Sequence, residues 1–417
     1  MTTDNTSGAA RPEERVRPWG SLAYRDFTLL WISGLFSGMS RYMREMLNYF
    51  LIYELSGSAV QLGLTGIFQA IPVLVLGLIS GSLADSVDRK KMLVVMHAVG
   101  LTTPFILAAL VFTDTIAVWH LWLLTSVTST VGVMSGPAQR AFIPRLVPRS
   151  HLMNAVTLLS APTQGTLMVG PVLAGVLVDL MGVEWAYLTN GLFQVLSLVA
   201  IMSIATSGVP EGARRARVSF TAIMDGLRFT WDQRIILAGF LIDFSVMAVG
   251  FYRILLPILA KDIYGVGATG LGVLNAAPAI GSIIASVVLL TMGNIRRKGA
   301  LIVVSYLLFA MSLVLLGAAP WFWLAIVAAA GLGLADMASY TLRQSLIQLV
   351  APDGFRGRTA ATSQIFSTFA NTTGAVEIGF AAAILGAPGA LILGGVLSAT
   401  FVIAIGFKMK TLWDYRS

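Results

Sequence analysis

The chain contains twelve apolar stretches of about 20 residues or more, separated by short polar turns. About 20 apolar residues in a helix cross the ~30 Å hydrocarbon core of a membrane. Only 12% of the residues are charged, about half the fraction of a soluble protein. The sequence therefore predicts an all-α integral membrane protein with twelve transmembrane helices. The predicted spans are 27–53, 58–83, 91–113, 116–140, 152–178, 184–207, 234–260, 268–292, 299–319, 321–349, 357–383 and 387–409.

Basic residues are distributed unevenly between the two sides of the predicted membrane. Of the 28 Lys and Arg residues, 24 lie in the two tails, the ends flanking them, or the loops that follow even-numbered spans. The opposite loops contain only Lys261, and three arginines lie within spans. The positive-inside rule then predicts a multi-pass protein of the cell (inner or plasma) membrane with both termini cytoplasmic. The net charge of +8 follows from this topology and indicates no nucleic-acid partner.

The longest polar interval, 207–234, divides the spans six and six. Apolar residues recur within it at helical spacing, which predicts an amphipathic helix at the membrane surface. We expect a cytoplasmic N-terminal tail, an N-terminal six-helix bundle, a cytoplasmic linker with the amphipathic helix, a C-terminal six-helix bundle and a cytoplasmic C-terminal tail. In the same order, their ranges are 1–24, 25–207, 208–233, 234–410 and 411–417.

The two halves of the chain resemble each other in register. Leu62-Gly63 recurs as Leu271-Gly272, and Arg44 recurs as Arg253, in each case 209 residues later. Pro148, Gly170 and Gly175 recur as Pro352, Gly374 and Gly379, each 204 residues later. Internal duplication around a central site is a recurring plan of secondary transporters, and it predicts two pseudo-symmetric bundles.

The turn between spans two and three reads GSLADSVDRKK, residues 81–91. It resembles the signature G-x-x-x-D-R-x-G-R-R of the major facilitator superfamily. Ser86 and Asp88 depart from that signature, and four residues match it: Gly81, Asp85, Arg89 and Lys90. The resemblance implies the major facilitator fold, alternating access and a gating role for the matching residues.

Two further segments narrow the resemblance. LVPRSHLMNAV (146–156), which leads to VGPVLAG (169–175), resembles the branch that contains enterobactin exporters and related drug effluxers, and APDGFRGRTAA (351–361) is similar to its second-half loop. Gly170, Pro171 and Gly175 also resemble the span-five motif of proton-coupled antiporters, which implies a gating role for them. Thr166 replaces a further glycine of that motif, and span four has no arginine between Leu123 and Met134, where many such antiporters carry one. These motifs favour export.

Charged residues lie near the middle of the first span, where one charge costs from ~3 to over 10 kcal/mol. Arg41, Arg44 and Glu45 share a polar arc of the helix, which must face a water-filled cavity or a sealed helix interface. Arg41 and Glu45 are four apart, so a structural ion pair is one alternative. Arg253 should approach the same cavity from span seven, and an arginine in each of these spans resembles organic-phosphate exchangers. The guanidinium fork suits carboxylate or phosphate oxygens. The predicted substrate-binding residues are Arg41, Arg44, Asn48, Arg253, Tyr340 and Asn371.

Four acids lie within predicted spans: Glu45, Asp243, Asp336 and Glu377. Desolvation raises the pKa of buried carboxylates towards neutral pH, so all four are candidates for proton coupling. The alternative is that each acid neutralises an arginine permanently, as Asp336 would with Arg343.

These features predict a proton-coupled secondary transporter that exports an amphipathic or anionic small molecule, siderophore- or drug-like, by alternating access. An importer or exchanger of a small organic anion (a carboxylate or phosphate ester) is one alternative, and a non-transporting receptor or scaffold is another. The sequence has no cysteine, metal-ligand cluster, nucleophile motif or phosphate-binding loop, so we expect neither enzymatic activity nor a cofactor or metal. The expected partners are a small-molecule substrate, protons or another coupling ion, and membrane lipids.

The predicted topology can be tested with single cysteines, because the native chain has none. Cysteines at Ser7 and Gly212 should resist an impermeant thiol reagent added to intact cells and should react after the cells are broken. Reaction of either residue in intact cells would contradict the predicted orientation.

Overall fold

A computed structural model describes residues 17–159, 161–209, 228, 230–293 and 297–408. Within these ranges, the side chains at 78, 81–82, 84–85, 234, 353–354, 356–358, 360–361 and 364 are not described. The described backbone consists of helices and turns, without a β-strand. Most of the predicted linker and of both predicted tails lies outside the described residues.

The long helices follow one another with short connections. In chain order they are α1 (Arg25–Ser56), α2 (Ala59–Ser86), α3 (Arg89–Phe112), α4 (Val118–Leu146), α5 (Ala161–Met181), α6 (Val183–Met202), α7 (Arg234–Gly250), α8 (Gly267–Met292), α9 (Lys298–Ala318), α10 (Phe322–Val350) and a final segment (Asp353–Lys408). The final segment is broken at Gly386, whose φ of 73° and ψ of 163° are not helical. We name its two parts α11 (353–385) and α12 (387–408). Shorter helical turns lie at Gly20–Ala23, Arg149–His151 and Leu152–Leu158.

Nine of the described helical segments are long and apolar enough to cross a membrane. The last of these, Ile365–Lys408, has 44 residues, about twice what one crossing needs. The nine do not include α1 and α4, which have 32 and 29 residues and a more polar composition. The all-helical membrane architecture is confirmed. The count of twelve spans stays a prediction, in which α1 and α4 also cross and the last segment crosses twice.

Span seven differs from its predicted continuous helix. It ends as α7 at Gly250, passes through extended backbone at Phe251, and resumes with a 3-10 turn at Arg253–Leu255 and a π-helical turn at Leu259–Ile263. Pro257 lies in the resumed part; it has no N–H to donate to the carbonyl of Arg253, and its ring crowds that carbonyl. A flexible glycine before the break and a proline after it therefore flank the interruption.

The internal repeat appears in the structure as matching contacts between the two halves. Helix α5 packs along α8, and α2 packs along α11. A Cβ placed on Gly272 would lie 2.4 Å from the carbonyl oxygen of Pro171, and one on Gly63 would lie 2.7 Å from that of Ala375. The two contacts are related by the offsets of 209 and 204 residues found in the sequence, so each half presents the same close approach.

A second pair of close contacts between the halves is related by the same two offsets. A Cβ on Gly175 would lie 2.2 Å from the carbonyl oxygen of Ala268, and one on Gly379 would lie 2.8 Å from that of Ala59. Because only glycine leaves room for such an approach, these positions allow the halves to meet backbone to backbone.

The halves also meet at one end of the bundle through polar side chains. The hydroxyl of Tyr53 donates a hydrogen bond to the carboxylate of Asp262, the residue 209 positions later. Beside them, Lys261 Nζ lies 2.8 Å from Glu54 Oε1. A contact between two repeat-related residues marks the pseudo-two-fold axis. We call this the closed end, and we call the opposite end, where Arg89, Lys90 and Arg145 lie, the basic end.

Candidate substrate site

Arg41, Arg44 and Glu45 lie near the middle of α1 and form no ion pair with one another. Arg41 is exposed, and Arg44 and Glu45 are half-buried. Arg41 lies over the ring of Tyr42, with 5.7 Å between its guanidinium carbon and the ring centre. Arg44 Nη1 donates a long hydrogen bond of 3.5 Å to Ser40 Oγ. Among the described residues, no carboxylate lies within 4.0 Å of either guanidinium, so the alternative of an Arg41–Glu45 ion pair is not formed.

Arg253 lies in the turn that follows the break in span seven and is half-buried. Its guanidinium carbon is 5.9 Å from the ring centre of Tyr252. Glu45 of the first half and Asp336 of the second half both act on it electrostatically, and Glu45 also acts on Arg44. Glu45 is therefore close enough to both repeat-related arginines to interact with each of them.

Three more predicted site residues are exposed part-way along membrane helices. Asp336 and Tyr340 lie one turn apart on α10, and Tyr340 is 49% exposed. Asn371 on α11 is also exposed and lies one turn beyond Ser367, which points inwards to bond Asp243. Exposed polar groups at this depth require a water-filled space, so we assign these residues to a cavity between the halves.

Arg343 of α10, in contrast, is fully paired. It is 6% exposed, forms an ion pair with Asp243, and donates a hydrogen bond of 3.0 Å to the hydroxyl of Tyr306. Tyr306 donates to Asp243 Oδ1 at 2.8 Å, and Ser367 donates to Oδ2 at 3.1 Å. This buried network joins α7, α9, α10 and α11, and both carboxylate oxygens of Asp243 are occupied within it.

The sequence-based pairing of Asp336 with Arg343 is therefore wrong. Gly239 of α7 lies against the Arg343 side chain, and a Cβ there would be 3.6 Å from Arg343 Cγ. Asp243 follows one turn later on α7. The arginine therefore extends across the face of α7 to Asp243, and Asp336 remains exposed to the cavity.

Two other predicted residues lie away from the cavity. Asn48 is 5% exposed; its Oδ1 accepts a hydrogen bond of 2.8 Å from Tyr187, and its Nδ2 donates one of 3.0 Å to Thr125. It therefore joins α1 to α4 and α6.

Glu377 shares a face of α11 with Phe380 and Ile384, which are 51% and 83% exposed. Its buried Oε2 has no hydrogen-bond partner among the described residues.

Gly170, Pro171 and Gly175 of the predicted gating set lie at close contacts between helices. A Cβ on Gly170 would be 3.0 Å from the Cβ of Tyr42, so α5 packs against α1 beside Arg41 and Arg44. Pro171 and Gly175 lie in the α5–α8 contacts described above. Gly170 thus lies within the first half next to Arg41 and Arg44, and Pro171 and Gly175 lie at the boundary between the halves.

The signature-like turn at the basic end binds the start of the linker. The backbone N–H of Arg89 donates to the carbonyl of Gly208 at 3.1 Å, and the Lys90 ammonium donates to the carbonyl of Ile204. The carboxylate of Asp26 accepts hydrogen bonds from the N–H groups of Ala205 (3.1 Å) and Thr206 (2.7 Å). The segment 204–208 is therefore fixed to the first half. The backbone of Gly81 and Asp85 belongs to α2, and the side chain of Asp85 is among those not described.

The exporter-like segment 146–156 also has a structural role at this end. Asn154 Oδ1 accepts a hydrogen bond of 3.0 Å from the N–H of Ser21, and Asn154 Nδ2 donates one of 2.7 Å to the carbonyl of Pro18. The segment thus holds the chain that leads into α1.

Sequence reasoning missed several residues that join elements in the structure. Tyr53 and Asp262 at the closed end are separated by the repeat offset of 209 residues, and that offset could have identified them. Tyr306 had no comparable signal, because its partners Asp243 and Arg343 come from two other helices.

Comparison with known families decides the identity. The sequence profile of the family described as "Transmembrane secretion effector" matches residues 16–414. The chain belongs to this family of the major facilitator superfamily. It is thus related to multi-pass membrane transporters, and the expected resemblance to the superfamily is confirmed.

Relatives with assigned names are similar at low identity. An uncharacterized MFS-type transporter of Bacillus subtilis, YfiS, is 25% identical over 83% of this chain and 84% of its own length. The enterobactin exporter EntS of Escherichia coli is 25% identical over 74% of this chain and 73% of its own. The staphyloferrin A transporter of Staphylococcus aureus is 24% identical over 58% of this chain and 61% of its own.

Solved structures confirm the fold. A POT family transporter in complex with a thioalcohol-conjugated peptide has a TM-score of 0.73, with 12% identity over 93% of this chain and 96% of its own. A bacterial homologue of the lysosomal transporter Spinster, in an inward-facing and unoccupied conformation, has a TM-score of 0.71, with 13% identity over 97% of both chains.

The Arg343–Asp243 pair leads to a stability prediction. Asp243→Asn should lower the free energy of unfolding by about 3–5 kcal/mol, because it leaves a buried arginine without its counter-charge. The double variant Asp243→Leu/Arg343→Met should recover most of that loss, since no buried charge remains. Unfolding of the purified protein in detergent, followed by tryptophan fluorescence, measures both.

The exposed Arg140→Gln serves as a control for the loss of one positive charge. If Asp243→Asn were as stable as this control, the pair would not be a structural element, and Asp243 would again be a candidate for proton coupling.

Proposed function

We propose that this protein is a secondary active transporter that works by alternating access and exports an amphipathic or anionic small molecule, siderophore- or drug-like, coupled to protons. One observation carries the proposal. Arg41, Arg44 and Arg253 lie beside the cavity without a carboxylate of the described residues within 4.0 Å, whereas Arg343 is neutralised. Because unpaired charges at membrane depth are costly, they persist where they serve a ligand or an ion.

The charges around the cavity favour an anionic group. Three arginines face two acids, Glu45 and Asp336, which leaves one positive charge in excess. A carboxylate or phosphate between Arg44 and Arg253 would neutralise that charge and could accept paired hydrogen bonds from a guanidinium fork. Tyr340 and Asn371 add neutral hydrogen-bonding groups at the cavity.

Siderophores are the first compounds to test. The named relatives include an exporter of enterobactin and a transporter of staphyloferrin A. These relatives support siderophores as a class of substrate, and their identity of 24–25% is too low to indicate a particular molecule.

Glu45 and Asp336 are the acids placed to couple substrate to protons, because they act on Arg253 from opposite halves. Asp243 is committed to Arg343, and Glu377 lies on an outer face of α11. Of the four acids predicted from the sequence, these two share the cavity with the arginines.

The same electrostatics favour a second candidate, the import or exchange of a small organic anion. Protonation of Glu45 or Asp336 removes a negative charge that competes for Arg253, so it should strengthen anion binding. Protons and an anion would then move together in one direction. An exporter driven by proton entry requires the opposite coupling, in which protonation releases the substrate.

The proposed orientation follows the basic residues. With the basic end in the cytoplasm of a cell-membrane protein, the closed end faces outwards and the cavity is reached from the cytoplasm. The six-helix bundles at 25–207 and 234–410 are the bodies that would move. The gate would comprise the signature residues Gly81, Asp85, Arg89 and Lys90 together with Gly170, Pro171 and Gly175.

Transport in proteoliposomes tests the function directly. Labelled enterobactin, staphyloferrin A and small organic anions would be offered with a proton gradient of either sign. An exporter exchanges substrate for protons, so substrate should accumulate on the side with the higher proton concentration. Accumulation on the opposite side would support the second candidate, and absence of movement for every compound, with binding intact, would support a receptor.

The anion site has its own prediction. Arg44→Ala or Arg253→Ala should weaken binding of the transported anion by about 1.5–3 kcal/mol, the range for a charged hydrogen bond. The double variant should lose less than the sum, because both arginines serve one group. Arg→Lys should restore binding only in part, because an ammonium cannot form the paired contact. Equilibrium binding to purified protein measures these values.

Arg140→Ala, an exposed change at the basic end, is the matched control and should bind normally. Unchanged affinity in the Arg44→Ala/Arg253→Ala protein would show that these arginines do not hold the substrate.

A further inference from the structure

Helix α8 receives its N-terminal cap from the other half of the protein. Asp179, near the end of α5, accepts hydrogen bonds from the N–H of Ala268 to Oδ1 (3.2 Å) and from the N–H of Thr269 to Oδ2 (2.8 Å). The residue at the N-cap position of α8 itself, Val266, provides no side-chain cap. The first N–H groups of a helix lack partners within it and carry its positive dipole end, so a carboxylate there is a favourable acceptor.

The repeat-related position in the other interface has no such contact. The counterpart of α8 is α2, whose N-terminus is capped by its own Ser58, which accepts a hydrogen bond of 3.4 Å from the N–H of Gln61. The residue 204 positions after Asp179 is Ala383, which has no carboxylate. The cap between halves is therefore a property of the α5–α8 interface and not of the repeat.

The cap is linked to the closeness of the two helices. One turn before Asp179, a Cβ on Gly175 would lie 2.2 Å from the carbonyl oxygen of Ala268. Separation of α5 from α8 at this end must therefore break the bonds of Asp179. Val266 has no side-chain acceptor to replace it, so the released N–H groups would turn to water. The cap thus stabilises only the arrangement in which α5 and α8 are in contact at this end.

We propose that Asp179 is a latch for the closed end, which it holds shut by capping α8 from the opposite half. The latch rests on alternating access, which is a part of the proposed function. It does not depend on the identity of the substrate. Asp179 lines the same cavity of about 280 Å³ as Tyr53, Glu54 and Lys261, and so the cap adds one more contact between the halves beside the pseudo-two-fold axis.

Spin-label distances across the closed end test the latch. Thr115→Cys before α4 and Trp321→Cys before α10 place one label on each half at exposed positions, and the native chain has no cysteine to interfere. In lipid nanodiscs, the parent protein should give one main distance. Asp179→Ala should increase the fraction at longer distances several-fold, and Asp179→Asn, which keeps one neutral acceptor, should give a smaller increase.

Ser58→Ala is the matched control. It also removes a helix cap at the closed end, but that cap lies within one half, so the distances should not change. The latch is wrong if Asp179→Ala and Asp179→Asn keep the parent distribution, or if Ser58→Ala shifts it equally. Thermal unfolding of each protein separates loss of fold from opening, and a folded Asp179→Asn protein is sufficient for the decision.

The measurement needs no substrate, so the two proposals can fail separately. If the Asp179 variants shift the distances but the protein transports none of the tested compounds, the latch is supported and the proposed export is contradicted. Normal transport with unchanged distances would retain the transporter and remove the latch.

Discussion

Hydrocarbon does not solvate charge, and most of the polar architecture of this protein follows from that constraint. Asp243 and Arg343 meet the constraint by pairing with each other and by using Tyr306 and Ser367 for their remaining hydrogen bonds. Arg41, Arg44 and Arg253 do not meet it in this way, because no carboxylate of the described residues lies within 4.0 Å of their guanidinium groups. The ion-paired Arg343 thus belongs to a structural network, whereas the three arginines without an ion pair belong to the candidate site.

The same constraint explains how the two halves meet. Backbone groups in helices are already bonded, so surfaces of glycine can come together without leaving a polar atom unsatisfied. Gly63, Gly175, Gly272 and Gly379 provide such surfaces at positions related by the repeat. Side-chain contacts between the halves, such as Lys261 with Glu54, lie at the closed end, where water can compete. Contacts of this kind can be exchanged during a cycle at little cost.

Much of this arrangement was predictable from the sequence, because hydrophobic length and the repeat are local or periodic signals. The repeat relation of Arg44 and Arg253 led to the prediction of a shared cavity, and Glu45 acts electrostatically on both of them in the structure. The partner of Arg343 was not predictable, since it depends on which of two acids a long side chain reaches in three dimensions. Glu377 shows the same limit: the helix was predicted, but the face that carries Glu377 depends on how α11 is rotated. The break in span seven was missed because hydropathy does not record backbone continuity.

The attachment of segment 204–208 to the first half has a mechanical consequence. Since Asp26, Arg89 and Lys90 fix this segment, residues 204–208 must travel with the first half in any relative displacement of the two halves. Bending of the chain directly after α6 therefore cannot absorb such a displacement. The end of α6 is a rigid extension of the first half and not a hinge.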